Sequence, residues 1–217
     1  MNYCSSNLAQ RYMVLSKVYK YRGGGFSPLI LLMKVRLLTT EGSPTLDSAI
    51  SEIDKLGIEP KVVYAEKHPN PKTSFNISIS NICKEIDDVL YFFEDDVEIR
   101  ENEHFIDAIR QLPPDWEICY LGANLVAPIQ KYSDNLYRTF GCWTTHAVMF
   151  NNPKAICEGY TDTSRMFDDW LMENIHPRGN SYIISPMMAW QKPHKSPLWE
   201  HYADYREIFD NSANKLI

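Results

Sequence analysis

The sequence predicts an α/β protein with a mainly parallel β-sheet, flanked by helices. Three patterns support this prediction: a strand–helix–strand order over residues 34–65, an unbroken apolar run at residues 89–93, and alternation of strand and helix patterns up to about residue 125. Strands that are buried on both faces of a parallel sheet read as continuous apolar runs. Because ligands of such sheets bind beyond the carboxyl ends of the strands, polar residues at those ends are the first candidates for a site.

The first unit is the most clearly defined. Residues 34–39 form an apolar strand, and Ser43 with Pro44 predicts the N-terminus of a helix. Apolar residues at helical spacing follow, until Gly57 predicts the end of the helix and residues 61–65 the second strand. This βαβ unit requires parallel strands joined by a right-handed crossover.

The other elements follow in chain order. We predict helices at residues 75–83, 103–112, 153–160 and 167–175, and strands at residues 89–93, 117–123, 146–150 and 181–185. Residues 190–217 show no clear periodicity. The predicted organisation is an N-terminal extension (1–33), a catalytic domain (34–196) and a C-terminal tail packed on that domain (197–217).

Composition narrows the function classes. The net charge of the 217 residues is −6, and residues 84–107 hold ten acidic but only two basic residues, so no diffuse basic surface for nucleic acid is indicated. No apolar run approaches the ~20 residues of a membrane helix. The five cysteines are widely spaced and form no Cys-x-x-Cys pair, which favours buried free thiols and a reducing, cytoplasmic setting.

The stretch "VLYFFEDDVEI" ends a buried strand with Glu94, Asp95 and Asp96. Alternation along a strand would place Glu94 and Asp96 on one face and Asp95 on the other. Adjacent carboxylates repel one another, and a divalent cation offsets that repulsion. We therefore predict that Glu94 and Asp96 hold Mn²⁺ or Mg²⁺ with a diphosphate; the alternative is a solvated acidic turn.

Several motifs occur in a recognisable order: "FFEDDVEI", "GCWTTHAVMF" at residues 141–150, "FDDWL" at residues 167–171, and then Pro186, Gln191 and Ser196. Their order and separation resemble family 25 glycosyltransferases of the lipooligosaccharide galactosyltransferase type, over residues 34–196. One departure is that "SFNISISNICKE" stands where that family usually has a Gly-Cys-x-x-Ser-His stretch. The resemblance implies a GT-A fold, a nucleotide-sugar donor, a divalent metal, and commonly inversion at the transferred sugar.

The residue patterns and the resemblance together yield candidate roles. Metal ligands are Glu94, Asp96 and His194, although His194 could instead contact a phosphate or be structural. The general base is Asp169 in preference to Asp168, because Asp168 lies closer to the predicted helix cap; the alternative is that both aspartates only cap that helix. Donor-binding candidates are Thr39, Thr40, Glu41, Asp95 and Lys195; for Thr39, Thr40 and Glu41 the alternative is a plain turn between strand and helix that leads to the Ser43 cap. Acceptor-binding candidates are Trp143, Thr145 and Trp170, with core packing as the alternative for the tryptophans.

The predicted function is metal-dependent transfer of a sugar from a nucleotide-sugar, first of all a UDP-sugar, to a glycan hydroxyl. One alternative is a phage- or viral-type DNA glycosyltransferase that acts on hydroxymethylated bases. Another is a non-catalytic nucleotide-sugar-binding protein with the same fold. A nucleotidyltransferase is disfavoured, because "TTEGSPT" after the first strand is a poor match to a glycine-rich phosphate loop.

Overall fold

The computed structural model of the chain describes residues 34–100, 103–195 and 202–216, without the side chain of residue 195. The predicted N-terminal extension, residues 1–33, lies outside the described residues, as does part of the predicted tail. The strands are β1 (Lys34–Thr39), β2 (Lys61–Tyr64), β3 (Leu90–Glu94), β4 (Val97–Ile99), β5 (Ile118–Tyr120), β6 (Asn124–Leu125), β7 (Ile129–Lys131), β8 (Leu136–Thr139), β9 (Cys142–Trp143), β10 (Ala147–Phe150), β11 (Ser181–Ile184), β12 (Ala189–Gln191), β13 (His194–Lys195) and β14 (Tyr202–Ala203). The helices are α1 (Leu46–Asp54), α2 (Pro71–Lys84), α3 (Phe105–Gln111), α4 (Pro153–Cys157), α5 (Phe167–Asn174) and α6 (Arg206–Ala213), with 3₁₀ turns at His176–Arg178 and Asn214–Leu216.

Eight strands form the central sheet, in the order β2-β1-β3-β10-β5-β11-β8-β7. β1 pairs in parallel with β2 and β3, and β5 pairs in parallel with β11. β10 is antiparallel to both β3 and β5, and β8 is antiparallel to both β11 and β7. All strands except β8 and β10 therefore point the same way, which confirms the prediction of a mainly parallel α/β sheet.

The predicted βαβ unit is present as β1, α1 and β2, and Gly57 ends its helical segment with a φ of +69°. The helix begins later than predicted, because its N-cap residue is Thr45 and not Ser43. Residues 40–43 instead close a turn in which the Ser43 N–H donates to the carbonyl oxygen of Thr40, with Gly42 at φ +74°. That turn places the backbone that leaves β1 at the edge of the sheet.

The middle strands are fully buried. Every residue of β10 is buried, as is every residue of β3 before Glu94, and Phe92 and Phe93 have no exposed surface. Helix α2 begins at the Asn70 cap, whose side chain accepts from the backbone N–H groups of Lys72 and Thr73, and it packs Ile79 into the same core. β3, paired with β1 on one side and β10 on the other, therefore ends at Glu94, the first residue of the acidic triplet.

Short elements surround the carboxyl end of β3. Two-stranded pairs form between β4 and β12, β6 and β9, and β13 and β14. Strands of two or three residues carry no readable periodicity, so the sequence did not predict them. Helix α6 lies within residues 190–217, where the sequence shows no clear periodicity, and its Phe209 is completely buried.

No helix within the described residues is long and apolar enough to cross a membrane. The cysteines of the described residues, Cys83, Cys119, Cys142 and Cys157, are buried and free. Burial raises the pKa of the Cys119 thiol well above its usual value and that of Cys142 to about 12, so these thiols are protonated core side chains.

Candidate active site

A cavity of about 760 Å³ opens at the carboxyl ends of β1 and β3. Its other walls come from the link between β9 and β10, the start of α5, the end of β12, and helix α6 with the residue before it. This is the position at which open α/β sheets bind ligands. The cavity is within the size range of small-molecule and cofactor sites.

Glu94, Asp95 and Asp96 all line this cavity. The predicted alternation of faces does not apply to them, because β3 ends at Glu94 and the two aspartates lie in the turn before β4. A different partner holds each carboxylate. Oγ1 of Thr145 donates to Glu94 at 2.9 Å, Oγ1 of Thr39 donates to Asp95 at 2.5 Å, and Nε2 of Gln191 donates to Asp96 at 2.9 Å.

Asp96 is the most deeply buried member of the triplet, with 5% of its surface exposed. Its Oδ2 accepts the bond from Gln191 and lies 3.5 Å from Nδ1 of His194, whereas its Oδ1 is buried without any hydrogen-bond partner. The pKa of Asp96 is raised to about 6, chiefly by burial; the nearby charge of Asp95 contributes to the rise, whereas His194 and the hydrogen bond from Gln191 reduce it. An orphaned carboxylate oxygen on a cavity wall is a position that fits a cation.

Burial and neighbouring negative charges also raise the pKa values of Glu94 and Asp168. Burial raises the pKa of Glu94 well above its usual range, and the charges of Asp96, Asp168 and Asp95 raise it further against the hydrogen bond from Thr145. Burial and Asp169 likewise raise the pKa of Asp168. Among the described residues that line the cavity there is neither a lysine nor an arginine. The cavity therefore concentrates negative charge that no cationic Lys or Arg side chain of its described wall offsets.

Asp168 and Asp169 both line the cavity from the first turn of α5. The cap residue of this helix is Met166, so neither aspartate caps it, contrary to the expectation for Asp168. Asp168 is partly buried, and its Oδ1 accepts from the N–H of Asp169 at 2.9 Å. Asp169 is exposed. The helix start thus contributes two carboxylates to the cavity that the triplet lines, and Asp168 is the more enclosed of the two.

Thr144 joins this helix start to the β9–β10 link. Its N–H points at Oδ2 of Asp168 from 3.5 Å, and its φ is +81°, which is uncommon for a β-branched residue. Its Oγ1 is buried and has no hydrogen-bond partner. Residues held in such conformations cluster at functional sites, so Thr144 belongs among the candidate site residues.

The remaining predicted residues divide into two groups. Thr39, Thr40, Trp143, Thr145 and His194 line the cavity together with the five acidic residues.

Glu41 does not line the cavity; it is exposed and forms an ion pair of 3.1 Å with Lys67. Trp170 does not line it either, since it is 9% exposed and packs against Phe167 and Tyr160 in the core. The side chain of Lys195 lies outside the described residues. Lys192, which follows the cavity residue Gln191, is bound to Ser48 and Glu52.

Sequence reasoning assigned no role to several residues of the cavity wall, chiefly Gln191, Asn124, Thr144, Tyr205, Ile208 and Phe209. One signal was available for the last three, because Tyr205, Ile208 and Phe209 stand at the i, i+3 and i+4 positions of a helix. Gln191 and Asn124 lie on strands of three and two residues, and only their long-range pairing brings them to the cavity.

The predicted metal ligands do not form a complete cage of protein side chains. Within residues 34–100, 103–195 and 202–216, no three His, Cys, Asp or Glu side chains are arranged to hold an ion. A cation at Asp96 would therefore need further oxygen ligands, such as those of a substrate phosphate or water.

No family model matches the chain. No curated protein matches it either. The resemblance to family 25 glycosyltransferases therefore receives no support from these comparisons.

Solved structures do match. A197 from STIV has a TM-score of 0.50 and 14% identity, over 75% of this chain and 86% of A197. GalNAc-T7, in a structure with UDP, GalNAc and Mn²⁺, has a TM-score of 0.51 and 10% identity over 77% of this chain. The match covers 45% of GalNAc-T7, so this chain corresponds to less than half of that protein. A glycosyltransferase involved in glycosylation of the major capsid of PBCV-1 has a lower TM-score of 0.47. At such identities the likeness shows the fold alone, and that fold is the α/β fold of GT-A glycosyltransferases.

Proposed function

We propose that this protein transfers a sugar from a nucleotide-sugar donor to an acceptor hydroxyl with the help of a divalent cation. The observation that carries the proposal is the buried, unpartnered Oδ1 of Asp96 in a cavity lined by five carboxylates. The cavity lies at the carboxyl ends of two parallel strands, where a nucleotide would bind.

The need for a cation follows from charge. A donor diphosphate is anionic, and the described wall of the cavity supplies acids but neither lysine nor arginine. We propose Mn²⁺ or Mg²⁺, held first by Asp96, with Glu94 and His194 as the further protein ligands to test. Because these three side chains are not arranged to hold an ion by themselves, donor phosphate and water oxygens would complete the coordination. Nδ1 of His194 lies 3.0 Å from the carbonyl oxygen of Lys192. Because a carbonyl only accepts, a hydrogen bond there leaves Nε2 as the free ligand nitrogen. When bound, the cation would stabilise the charge that develops on the departing diphosphate.

The donor side of the cavity is formed by the ends of β1 and β3. Thr39 and Thr40 line it, and Asp95 is held there by Thr39. We propose that these residues contact the nucleoside, with Asp95 towards the ribose. Lys195 and Glu41 are donor-binding candidates on the basis of the sequence alone. The UDP and Mn²⁺ in the structure of GalNAc-T7 make a UDP-sugar the first donor to test.

The general base that we propose is Asp168, with Asp169 as the alternative. A base must accept the proton of the acceptor hydroxyl, and a raised pKa makes the carboxylate a better acceptor. Asp168 also lines the same cavity as Glu94 and Asp96, and its charge raises the pKa of Glu94. This arrangement supports a direct, inverting transfer. Trp143, 42% exposed on the cavity wall, is the candidate surface for the ring of an acceptor glycan.

A hydroxymethylated DNA base is a less favoured acceptor, because proteins hold the phosphates of nucleic acid with Lys and Arg side chains, and the described cavity wall has neither. The free thiols of the described residues support a reducing, cytoplasmic location.

The test is a thermal-shift panel of UDP, GDP, CMP and UDP-sugars, each with Mn²⁺ and with EDTA. A ligand that binds only the folded state raises the unfolding midpoint, so the result does not depend on knowing the acceptor. We expect a shift with one nucleotide that requires Mn²⁺, followed by slow hydrolysis of the matching nucleotide-sugar. Binding without hydrolysis or transfer would instead identify a non-catalytic binding protein, and no shift with any nucleotide would contradict the proposal.

A further inference from the structure

Gln191 is fixed beside the acidic triplet by its backbone. It is the last residue of β12, which pairs antiparallel with β4 so that Gln191 stands opposite Val97, the residue after Asp96. The N–H of the next residue, Lys192, donates to the carbonyl oxygen of Asp96 at 2.6 Å. The position of Gln191 relative to Asp96 is therefore set by the sheet.

Backbone hydrogen bonds also hold the start of β12. The N–H groups of Met188 and Ala189 both donate to the carbonyl oxygen of Leu121, at 2.9 and 3.1 Å. A Cβ on Gly122 would lie 1.8 Å from the carbonyl oxygen of Ala189, so this close approach requires glycine. Trp190 is held by Asp210 and stacks beneath Arg100. A side chain on such a strand has a well-defined direction.

The side chain of Gln191 is only half satisfied. Its Nε2 donates to Oδ2 of Asp96, but its Oε1 is buried without a hydrogen-bond partner, although the residue is 8% exposed and lines the cavity. Oδ1 of Asp96 is likewise buried without a hydrogen-bond partner. An unpaired buried acceptor destabilises the folded chain, and here two such acceptors occur on side chains that are hydrogen-bonded to each other. Each of these two oxygens would be satisfied by a hydrogen-bond donor or a cation, and no described residue supplies either one.

We propose that Gln191 belongs to the cation site itself. Its amide N–H holds Oδ2 of Asp96 and so leaves Oδ1 for the cation, and its Oε1 is an uncharged oxygen ligand for the same ion. Hard divalent cations accept amide oxygens as well as carboxylates. In a cavity with five carboxylates, a neutral ligand adds coordination without adding to the repulsion between charges. This inference rests on the proposed function.

The test is a titration of the purified chain with Mn²⁺, followed by electron paramagnetic resonance, with and without saturating UDP. Gln191→Met keeps the volume and removes both polar atoms. We expect it to weaken Mn²⁺ binding by about 10–100-fold, the range for losing a partner of a metal ligand. Gln130→Met, an exposed glutamine on β7 away from the cavity, is the matched control and should bind Mn²⁺ like the wild type.

The outcomes separate the two proposals. If wild type binds no Mn²⁺ with or without UDP, the proposed function fails and this inference fails with it. If wild type binds Mn²⁺ and a folded Gln191→Met variant binds it equally well, only the role of Gln191 is overturned. Circular dichroism in EDTA reports whether the variant folds; should it not, Gln191→Asn retains the amide one methylene short of Asp96 and is expected to show the same loss of Mn²⁺ affinity.

Discussion

Thr39 and Asp95 join the ends of two neighbouring parallel strands. Oγ1 of Thr39, the last residue of β1, donates a hydrogen bond of 2.5 Å to Oδ2 of Asp95, which directly follows β3. Thr39 is 3% exposed, so this bond to a carboxylate is largely shielded from water. It holds Asp95 on the side of the cavity where we propose that the nucleoside binds.

Thr39→Val should therefore weaken both stability and donor binding. Valine has nearly the same shape but cannot donate, and a lost hydrogen bond to a charged group costs about 1.5–3 kcal/mol. Urea unfolding measures the stability, and the Mn²⁺-dependent thermal shift with nucleotide measures the binding. Thr161→Val, at an exposed threonine that does not line the cavity, is the control, and an equal effect of both variants would contradict the assigned role of Thr39.

Asp96→Asn should abolish transfer while the chain remains folded. The variant keeps the shape of the side chain but removes the charge on which the proposed cation site depends. Turnover should fall by more than about 100-fold, beyond what loss of an outer partner costs, and the nucleotide shift should no longer respond to Mn²⁺. Glu98→Gln, on the neighbouring strand β4, is the control. Turnover like that of the wild type would rule out Asp96 as a metal ligand.

The two aspartates of α5 are distinguished by separate variants. If Asp168 is the base, Asp168→Asn lowers kcat by about 100- to 10,000-fold, the usual contribution of a positioned base. Asp169→Asn should change kcat only a few-fold, because that side chain is exposed. Donor binding by thermal shift should be retained in both. The reverse order of effects would assign the base to Asp169, as the sequence suggested.

Gly122→Ala tests whether the position of β12 matters to the site. The new Cβ would overlap the carbonyl oxygen of Ala189, so the strand must move away from β5. We expect a loss of about 1–3 kcal/mol in the free energy of unfolding, as for other overpacked sites, together with weaker Mn²⁺ binding. Gly159→Ala has its nearest atom at 3.4 Å and serves as the control. Unchanged Mn²⁺ affinity in Gly122→Ala would mean that the placement of Gln191 is unimportant.

Because His176 is buried, we expect the free energy of unfolding to depend on pH. It is completely buried, its Nε2 is hydrogen-bonded to the hydroxyl of Tyr120 at 2.9 Å, and burial lowers its pKa to about 4. Between that pKa and its usual value of about 6.5, the unfolded chain binds a proton that the folded chain does not. The histidine's contribution to stability is therefore present above pH 6.5 and is lost as the pH falls towards 4.

The matching variant is His176→Gln, measured by urea unfolding in EDTA from pH 7 to pH 4. The shift corresponds to about 3 kcal/mol, so the wild type should lose about that much more stability than the variant as the pH falls. The exposed His68→Gln is the control and should follow the wild type. Parallel curves for the wild type and His176→Gln would contradict a buried, neutral His176.

The sequence predicted the elements whose signals are local. The βαβ unit, the apolar strand β3 and the helices α2 and α5 depend on spacing within a few turns or on burial of one strand, and all appear near their predicted positions. The placement of the acids followed from the same reasoning, because the end of a buried parallel strand is also the edge where ligands bind. The cap of α1 was misplaced, since the turn at residues 40–43 competes for Ser43.

By itself, the sequence determined an α/β chain with an acidic triplet at the end of a central strand and two more acids at a later helix start. Only the tertiary structure decided which residues meet them. Gln191 reaches Asp96 across 95 positions, and Thr145 reaches Glu94 across 51. Trp170 packs in the core and Glu41 forms an ion pair with Lys67, and neither residue lines the cavity. The physical reason is that local periodicity encodes which face of an element is buried, whereas the partner of a buried polar atom is chosen by the packing of the whole chain.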